Sequence, residues 1–300
     1  MSSKAKAVTM KYSLRYGPRV FRREVMRRFT SSAIARVVML HPPVGPRQWQ
    51  RNVTLATGIT PTRKQTRTVI RAYVRNITED LVLPEWSHDE VIRRVTISPA
   101  DTQKLIGAQQ STGVVLALPH LASWDMAGVW VAQMGMPLVT VAEHLPSGGF
   151  EAYQKIRETL GFEVYSNKTG GLIPRLCEDA RQHKVVALVC DRVLDSHGID
   201  VAWPTGSGTI PAVAPVGPVM IARSTGATLL GVGLHYTAHG IHIVLSEPIA
   251  HRDGTEGLQA MAQEMIDFFA EQIAATPYDW LVFQPFFPGD AGVAAEKEKV

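Results

Sequence analysis

Val114-Val115-Leu116-Ala117-Leu118-Pro119-His120-Leu121-Ala122-Ser123-Trp124-Asp125 is the stretch from which the fold can be read. Five apolar residues closed by a proline read as a buried strand, because proline cannot donate to a ladder. His120 falls in the turn that follows. Ser123 or Asp125 then caps a helix running through Met126 to Gln133. His120 and Asp125 have four residues between them across that turn, and the carboxylate stands near the positive end of the helix, where an anion is stabilised. Accepting a bond from one ring nitrogen, Asp125 would leave the other free to take a proton, which is what a general base needs. The same two residue types also arise by chance, and a histidine ending a strand is often a solvated loop residue.

Outward from that stretch the pattern alternates as in an α/β protein. Upstream, Thr60-Pro61 opens a long helical pattern through Arg63 to Leu81, with Val69, Ile70, Tyr73, Val74 and Ile77 as its apolar face. Ser87 to Val91 reads as a short helix, Val95 to Ile97 as a short strand, and Ser98 to Gln109 as a helix capped by Ser98. Downstream, strands are predicted at Pro137–Ala142, Phe162–Tyr165 and Val185–Cys190, separated by helices at Phe150–Leu160 and Gly171–Gln182. A loop from Ile210 to Pro218 leads into a helix over Val213–Ser224. Thr228–Tyr236 and Gly240–Leu245 then form a hairpin-like strand pair, and Leu258–Thr276 is an amphipathic helix before Pro277. The predicted class is α/β: a mixed central sheet flanked by helices, with function at the C-terminal ends of the strands.

The chain has 300 residues, 45% of them hydrophobic, and only two cysteines, Cys177 and Cys190. This composition predicts a packed core with neither a disulfide framework nor a metal site, in a reducing compartment. No apolar run approaches the roughly 18 residues of a membrane span, and no secretory signal opens the chain. The formal net charge of +4 hides an asymmetry: Met1 to Arg75 holds seventeen Lys or Arg and one acid, Glu24. Arg15, Arg19, Arg22, Arg23, Arg27 and Arg28 interleave there with Tyr12, Tyr16, Phe21 and Phe29. Such a segment can lie in the headgroup layer of an anionic membrane, pack as a solvated basic helix, or meet a phosphate backbone. No helix-turn-helix, zinc-finger or RNP signature accompanies it, so a nucleic-acid partner is not expected. The organisation predicted is a basic amphipathic extension over residues 1–50, one domain over 51–290 and a tail over 291–300.

Other strand ends carry polar residues. Val185–Cys190 runs into Asp191-Arg192, Gly198-Ile199-Asp200-Val201 follows, and Arg157 stands at the end of a helical pattern. Asp191 and Arg192 read equally as a salt-bridged pair. Asp200 alone reads more readily as a solvated strand residue.

Taken in order, Pro119-His120 to Trp124-Asp125, Arg157 to Gly161, Asp191-Arg192, Gly198 to Val201, Pro211 to Pro218, Ala222 to Ala227 and Pro277-Tyr278-Asp279-Trp280 form a series. It resembles the bacterial lipid A late acyltransferase family and, within it, the phosphatidylinositol mannoside acyltransferases. The similarity covers roughly Arg51 to Phe287, and Tyr73-Val74-Arg75-Asn76 with Glu79 resembles the family's N-terminal helices. The resemblance implies a glycerolipid-acyltransferase-like fold and transfer of a long fatty acyl chain from a thioester to a glycolipid hydroxyl. The donor is acyl-coenzyme A or acyl carrier protein, and no other cofactor is implied. It makes His120 the base, Asp125 its orienting acid and Asp200 a further acid. Arg157, Arg192, Asp191, Trp124 and Ser123 become candidate substrate contacts, and the apolar residues of Val129 to Val141 an acyl groove. A peripheral site on the cytoplasmic face of the cell membrane follows. A lipid A precursor is the alternative acceptor.

Two departures stand out. The family's usual Gly-Asn before the tryptophan is Ala122-Ser123 here, and its Phe-Phe-Gly after the acidic strand is Ala202-Trp203-Pro204-Thr205-Gly206. The first, together with Asp200 where the mannoside enzymes usually carry Glu, keeps open a catalytically inactive, lipid-binding or scaffold relative.

Overall fold

The computed structural model describes residues 44–143, 149–193, 198–290 and 292. The basic segment from Tyr12 to Phe29 and nearly all of the tail expected over 291–300 lie outside them. Helices α1 (Val44–Thr57), α2 (Arg63–Val82) and α3 (His88–Arg94) precede strand β1 (Val95–Ile97) and helix α4 (Pro99–Ser111). Next come β2 (Val114–Leu118), α5 (Trp124–Gln133), β3 (Leu138–Ala142), α6 (Gly149–Thr159), β4 (Phe162–Ser166), α7 (Leu172–Arg181) and β5 (Val185–Val189). The chain then forms β6 (Gly198–Thr205), β7 (Gly208–Pro215), α8 (Gly217–Thr225), β8 (Thr228–Tyr236), β9 (Ile241–Leu245) and α9 (Gly254–Ala275).

The predicted mixed sheet is there: seven strands in the order β1-β9-β8-β2-β5-β3-β4, with β8 and β9 antiparallel. The neighbours β8, β2, β5, β3 and β4 are all parallel. Buried parallel strands read as unbroken apolar runs, which is why Val114–Leu118 is buried at every position. Alternate residues of these strands serve two layers of helices. Leu116 and Leu118 face a cavity under α5, whereas Gly231 faces α9, its missing side chain leaving room for the Phe268 ring. Caps mark the helix starts as the sequence leads one to expect, with Ser98 accepting from Asp101 N–H and Ser123 from Met126 N–H.

Three expectations are corrected. Residues 208–215, read as a loop and a helix start, form β7, paired with β6 in a two-stranded antiparallel ribbon, and α8 begins only at Gly217. Pro211 and Pro215 misled because proline argues against a strand, yet each strand of such a ribbon is an edge that tolerates it. The short helix expected to end at Val91 continues to Arg94, where Glu90 and Arg94 pair one turn apart. Finally, a boundary at residue 50 falls inside α1, whose Trp49 is fully buried and donates its indole N–H to the Trp280 carbonyl (2.9 Å).

At the C-terminal end of β8, the end at which β2 also finishes, the turn into β9 sits on the end of α3. There Arg94 donates to the His239 carbonyl (3.0 Å), and a Cβ on Gly240 would lie 1.7 Å from the Arg94 carbonyl oxygen. Backbone cannot yield as a side-chain tip can. Gly240→Ala is expected to destabilise the fold by about 1–3 kcal/mol, read as a lower midpoint in urea unfolding; an unchanged midpoint would show that this turn moves freely.

Candidate active site

Strand register delivers the site. β2 and β5 lie side by side with Leu118 opposite Val189, and Cys190 N–H donates to the Leu118 carbonyl (2.7 Å). Two residues beyond that pair on each strand stand His120 and Asp191. Asp191 Oδ1 accepts a short hydrogen bond from His120 Nδ1, and its Oδ2 accepts from the His120 backbone N–H (3.1 Å) and from Trp280 Nε1 (2.9 Å). An ionised carboxylate only accepts, so Nδ1 carries the proton and Nε2 is left as the basic nitrogen. The Asp191 side chain is wholly buried. Burial alone would raise its pKa, but the neighbouring His120 charge, then the bonds from His120 and Trp280, outweigh it and hold the carboxyl below its ordinary value.

The His120 turn is clamped from the far end of the chain. Ala122 N–H donates to the Asp279 carbonyl (2.9 Å), Leu281 N–H donates to the His120 carbonyl (2.8 Å), and Leu121 forms an antiparallel bridge with Trp280. Trp280 is itself packed against Trp203 of β6, stacked at 6.3 Å, and against the edge of Phe286 at 4.8 Å. Asn52 of α1 donates to the Val282 and Gln284 carbonyls, which ties down the segment beyond.

The expected partner of His120 is elsewhere. Asp125 accepts two bonds from Arg157, at 2.7 Å and 3.0 Å; the fork geometry of guanidinium and carboxylate makes this a rigid tie between α5 and α6. Buried Asp80 of α2 stands close to that pair. Burial first, and then the charge of Asp125, raise its pKa well above the ordinary value. Asp200 does not join His120 either. On β6 the odd positions Val201 and Trp203 are buried, so strand alternation turns Asp200 and Ala202 to solvent. Ser123 is fully buried as the α5 cap, not a substrate contact. Trp124 meets the His120 ring edge-to-face at 5.4 Å. Arg192 lies 3.8 Å from Glu143 and, with Asp191, Phe286 and Phe287, lines a cleft beside the dyad.

Trp124, Asp125 and Arg157 border an apolar cavity between α5 and the sheet. Its walls come from Ala127, Trp130 and Val131 of α5, Leu105 of α4, and strands β9, β8, β2, β5 and β3. Of the groove expected over Val129 to Val141, Trp130, Val131, Leu138, Thr140 and Val141 are in this wall. Among the described residues no cluster of His, Cys, Asp or Glu suits a metal ion.

The profile of the family described as bacterial lipid A biosynthesis acyltransferase matches residues 19–288. The chain belongs to that family. It is 34% identical over 254 residues to the phosphatidylinositol mannoside acyltransferase of Mycobacterium tuberculosis (strain CDC 1551 / Oshkosh), covering 82% of this chain and 78% of the relative. The protein of the same name from Mycolicibacterium smegmatis is 32% identical over 254 residues, 82% of this chain and 81% of the relative. The protein is therefore an acyltransferase of lipid biosynthesis, with an acyl donor and a lipid acceptor as substrates.

In this acyltransferase the residues missed by sequence reasoning are Asp191 as the partner of His120, Trp280 as a donor to that carboxylate, and buried Asp80. A usable signal was present: Asp191 follows an apolar strand just as His120 does, so side-by-side parallel strands would bring the two together. The usual glycine at the position of Ala122 is explained, and the alanine here is strained. Its φ is +47°, a left-handed conformation that glycine adopts freely and alanine does not. Ala122→Gly is expected to stabilise the fold by about 0.5–1 kcal/mol, seen as a raised Tm; a fall would show that the Ala122 methyl group is worth more than the strain.

Asp279 carries a pH signature. Burial pushes its pKa up to about 6, against the opposing effects of the Tyr236 N–H and Arg75. A carboxyl that binds its proton more tightly when folded contributes stability that is full below about pH 4 and lost as pH rises through about 6. Asp279→Asn should remove that loss and gain up to about 3 kcal/mol at pH 8 relative to wild type. Denaturant melts at pH 5 and pH 8 test this; equal pH dependence in both proteins would exclude it.

Proposed function

We propose that the protein moves a long-chain fatty acyl group from a thioester donor to a hydroxyl of a membrane glycolipid, a phosphatidylinositol mannoside. His120 is the general base, and Asp191 takes the orienting role expected of Asp125. The observation that carries this reading is a histidine backed by a buried carboxylate, standing beside Trp124, which borders an apolar cavity. The names of the relatives favour the mannoside over a lipid A precursor.

The step runs as follows. His120 Nε2 takes the proton of the acceptor hydroxyl, whose oxygen forms a bond to the thioester carbonyl carbon. The carbon–sulfur bond breaks, and the imidazolium returns the proton to the leaving thiolate. Asp191 stabilises the cation formed on His120 and holds its tautomer throughout. The acyl tail lies in the cavity under α5. Asp125 and Arg157 border it as a neutral pair, so that phosphate binding falls to Arg192, with coenzyme A or acyl carrier protein as the thioester carrier. The assembled dyad favours this reading over a catalytically inactive relative. The location that goes with it is peripheral, on the cytoplasmic face of the cell membrane. Among the described residues no helix is long and apolar enough to cross a bilayer.

Transfer of radiolabelled palmitate from its coenzyme A thioester to purified phosphatidylinositol mannoside tests the proposal. His120→Ala and Asp191→Asn are each expected to lose at least about 100-fold in kcat/KM; His120→Ala, which takes the ring donor from buried Asp191, is also expected to be less stable than wild type and is assayed at a temperature where it remains folded. Undiminished transfer by folded His120→Ala would contradict it.

A further inference from the structure

We infer that the outward face of α2 docks on an anionic lipid bilayer. The inference rests on the reading of the acceptor as a membrane lipid and names the surface that meets that membrane. At 3.6 residues per turn, Arg63, Lys64, Arg67, Arg71 and Leu81 fall within a stripe of about 100° on a helix about 30 Å long, and all five are exposed. The acids of α2, Glu79 and Asp80, are both buried, so the stripe presents cations alone. None of these four cations is paired with an acid among the described residues.

Two of them oppose the helix itself. Arg63 and Lys64 occupy the first turn, which holds no acid, although a helix N-terminus favours anions and disfavours cations. Folding alone gives no reason for charge there; a negatively charged surface does. Exposed apolar side chains stand at the two ends of the helix and beside the stripe. Four large ones stand out among the described residues, and three belong to α2 or its lead-in: Ile59 at 68%, Tyr73 at 44% and Leu81 at 62% exposure. Cations flanked by apolar side chains match a headgroup layer, where charge meets anionic lipid and apolar groups enter the acyl boundary. A nucleic acid backbone would leave Ile59 and Leu81 without a partner.

Two binding experiments on the full chain test the face, and neither requires acyl transfer, so they decide it even if the acceptor reading fails. In the first, vesicles of phosphatidylcholine with or without phosphatidylinositol are sedimented with wild type and with the Arg63→Gln/Lys64→Gln/Arg67→Gln/Arg71→Gln variant. The variant is expected to lose at least about tenfold in affinity for the anionic vesicles. In the second, a Leu81→Cys variant carries an environment-sensitive fluorophore; Cys177 and Cys190 are buried, which directs the label to position 81. Its emission should shift to the blue on adding anionic vesicles. Retention of affinity within twofold by the four-glutamine variant would overturn the proposal. So would a label that ignores vesicles because residues 1–43 or a second copy cover it, or one that answers to duplex DNA instead.

Discussion

A carboxylate buried out of reach of water must find its donors within the protein, and Asp191 finds three. Its two oxygens take the ring and backbone N–H groups of His120 and the indole N–H of Trp280. Two bonds from the turn after β2 and one from the segment after α9 thus meet at the end of β5. The requirement to satisfy this charge is therefore also the device that sets the histidine's tautomer and aim. A catalytic group needs both, and a solvated turn would supply neither.

Much of the surrounding architecture serves that point. Trp280 can donate to Asp191 because Trp203, Phe286 and the carbonyl bond from Trp49 fix its ring. This gives a purpose to α1 and to the β6–β7 ribbon, neither of which contributes a side chain to the dyad. The turn bearing His120 is strained at Ala122, and two backbone bonds to the segment 279–281 hold it there. Asp125 and Arg157 perform a separate task. Their bidentate pair joins α5 to α6 and borders the apolar cavity.

The fold and the site were not equally legible. The α/β alternation, the buried β2 strand and the Ser123 cap follow from local pattern, because apolar periodicity and capping are properties of neighbours in sequence. The identity of the histidine's partner does not. Asp125 is near His120 in sequence and Asp191 is far, but β5 is inserted beside β2 in the sheet, and strand order is a non-local outcome of packing. Asp200 failed for a local reason that alternation already contained: it shares a strand face with Ala202, opposite buried Val201 and Trp203. β7 was hidden by its prolines, which only an edge strand accommodates.

The most direct test of the Asp191–His120 pairing is the proton resonance of the His120 ring N–H in isotopically labelled protein. A strong hydrogen bond to a buried carboxylate places that proton far downfield and protects it from exchange. The Asp191 account predicts that the resonance persists in Asp125→Asn and disappears in Asp191→Asn. Loss of the signal in Asp125→Asn, with its survival in Asp191→Asn, would contradict it and return the orienting role to the acid of the His120 turn.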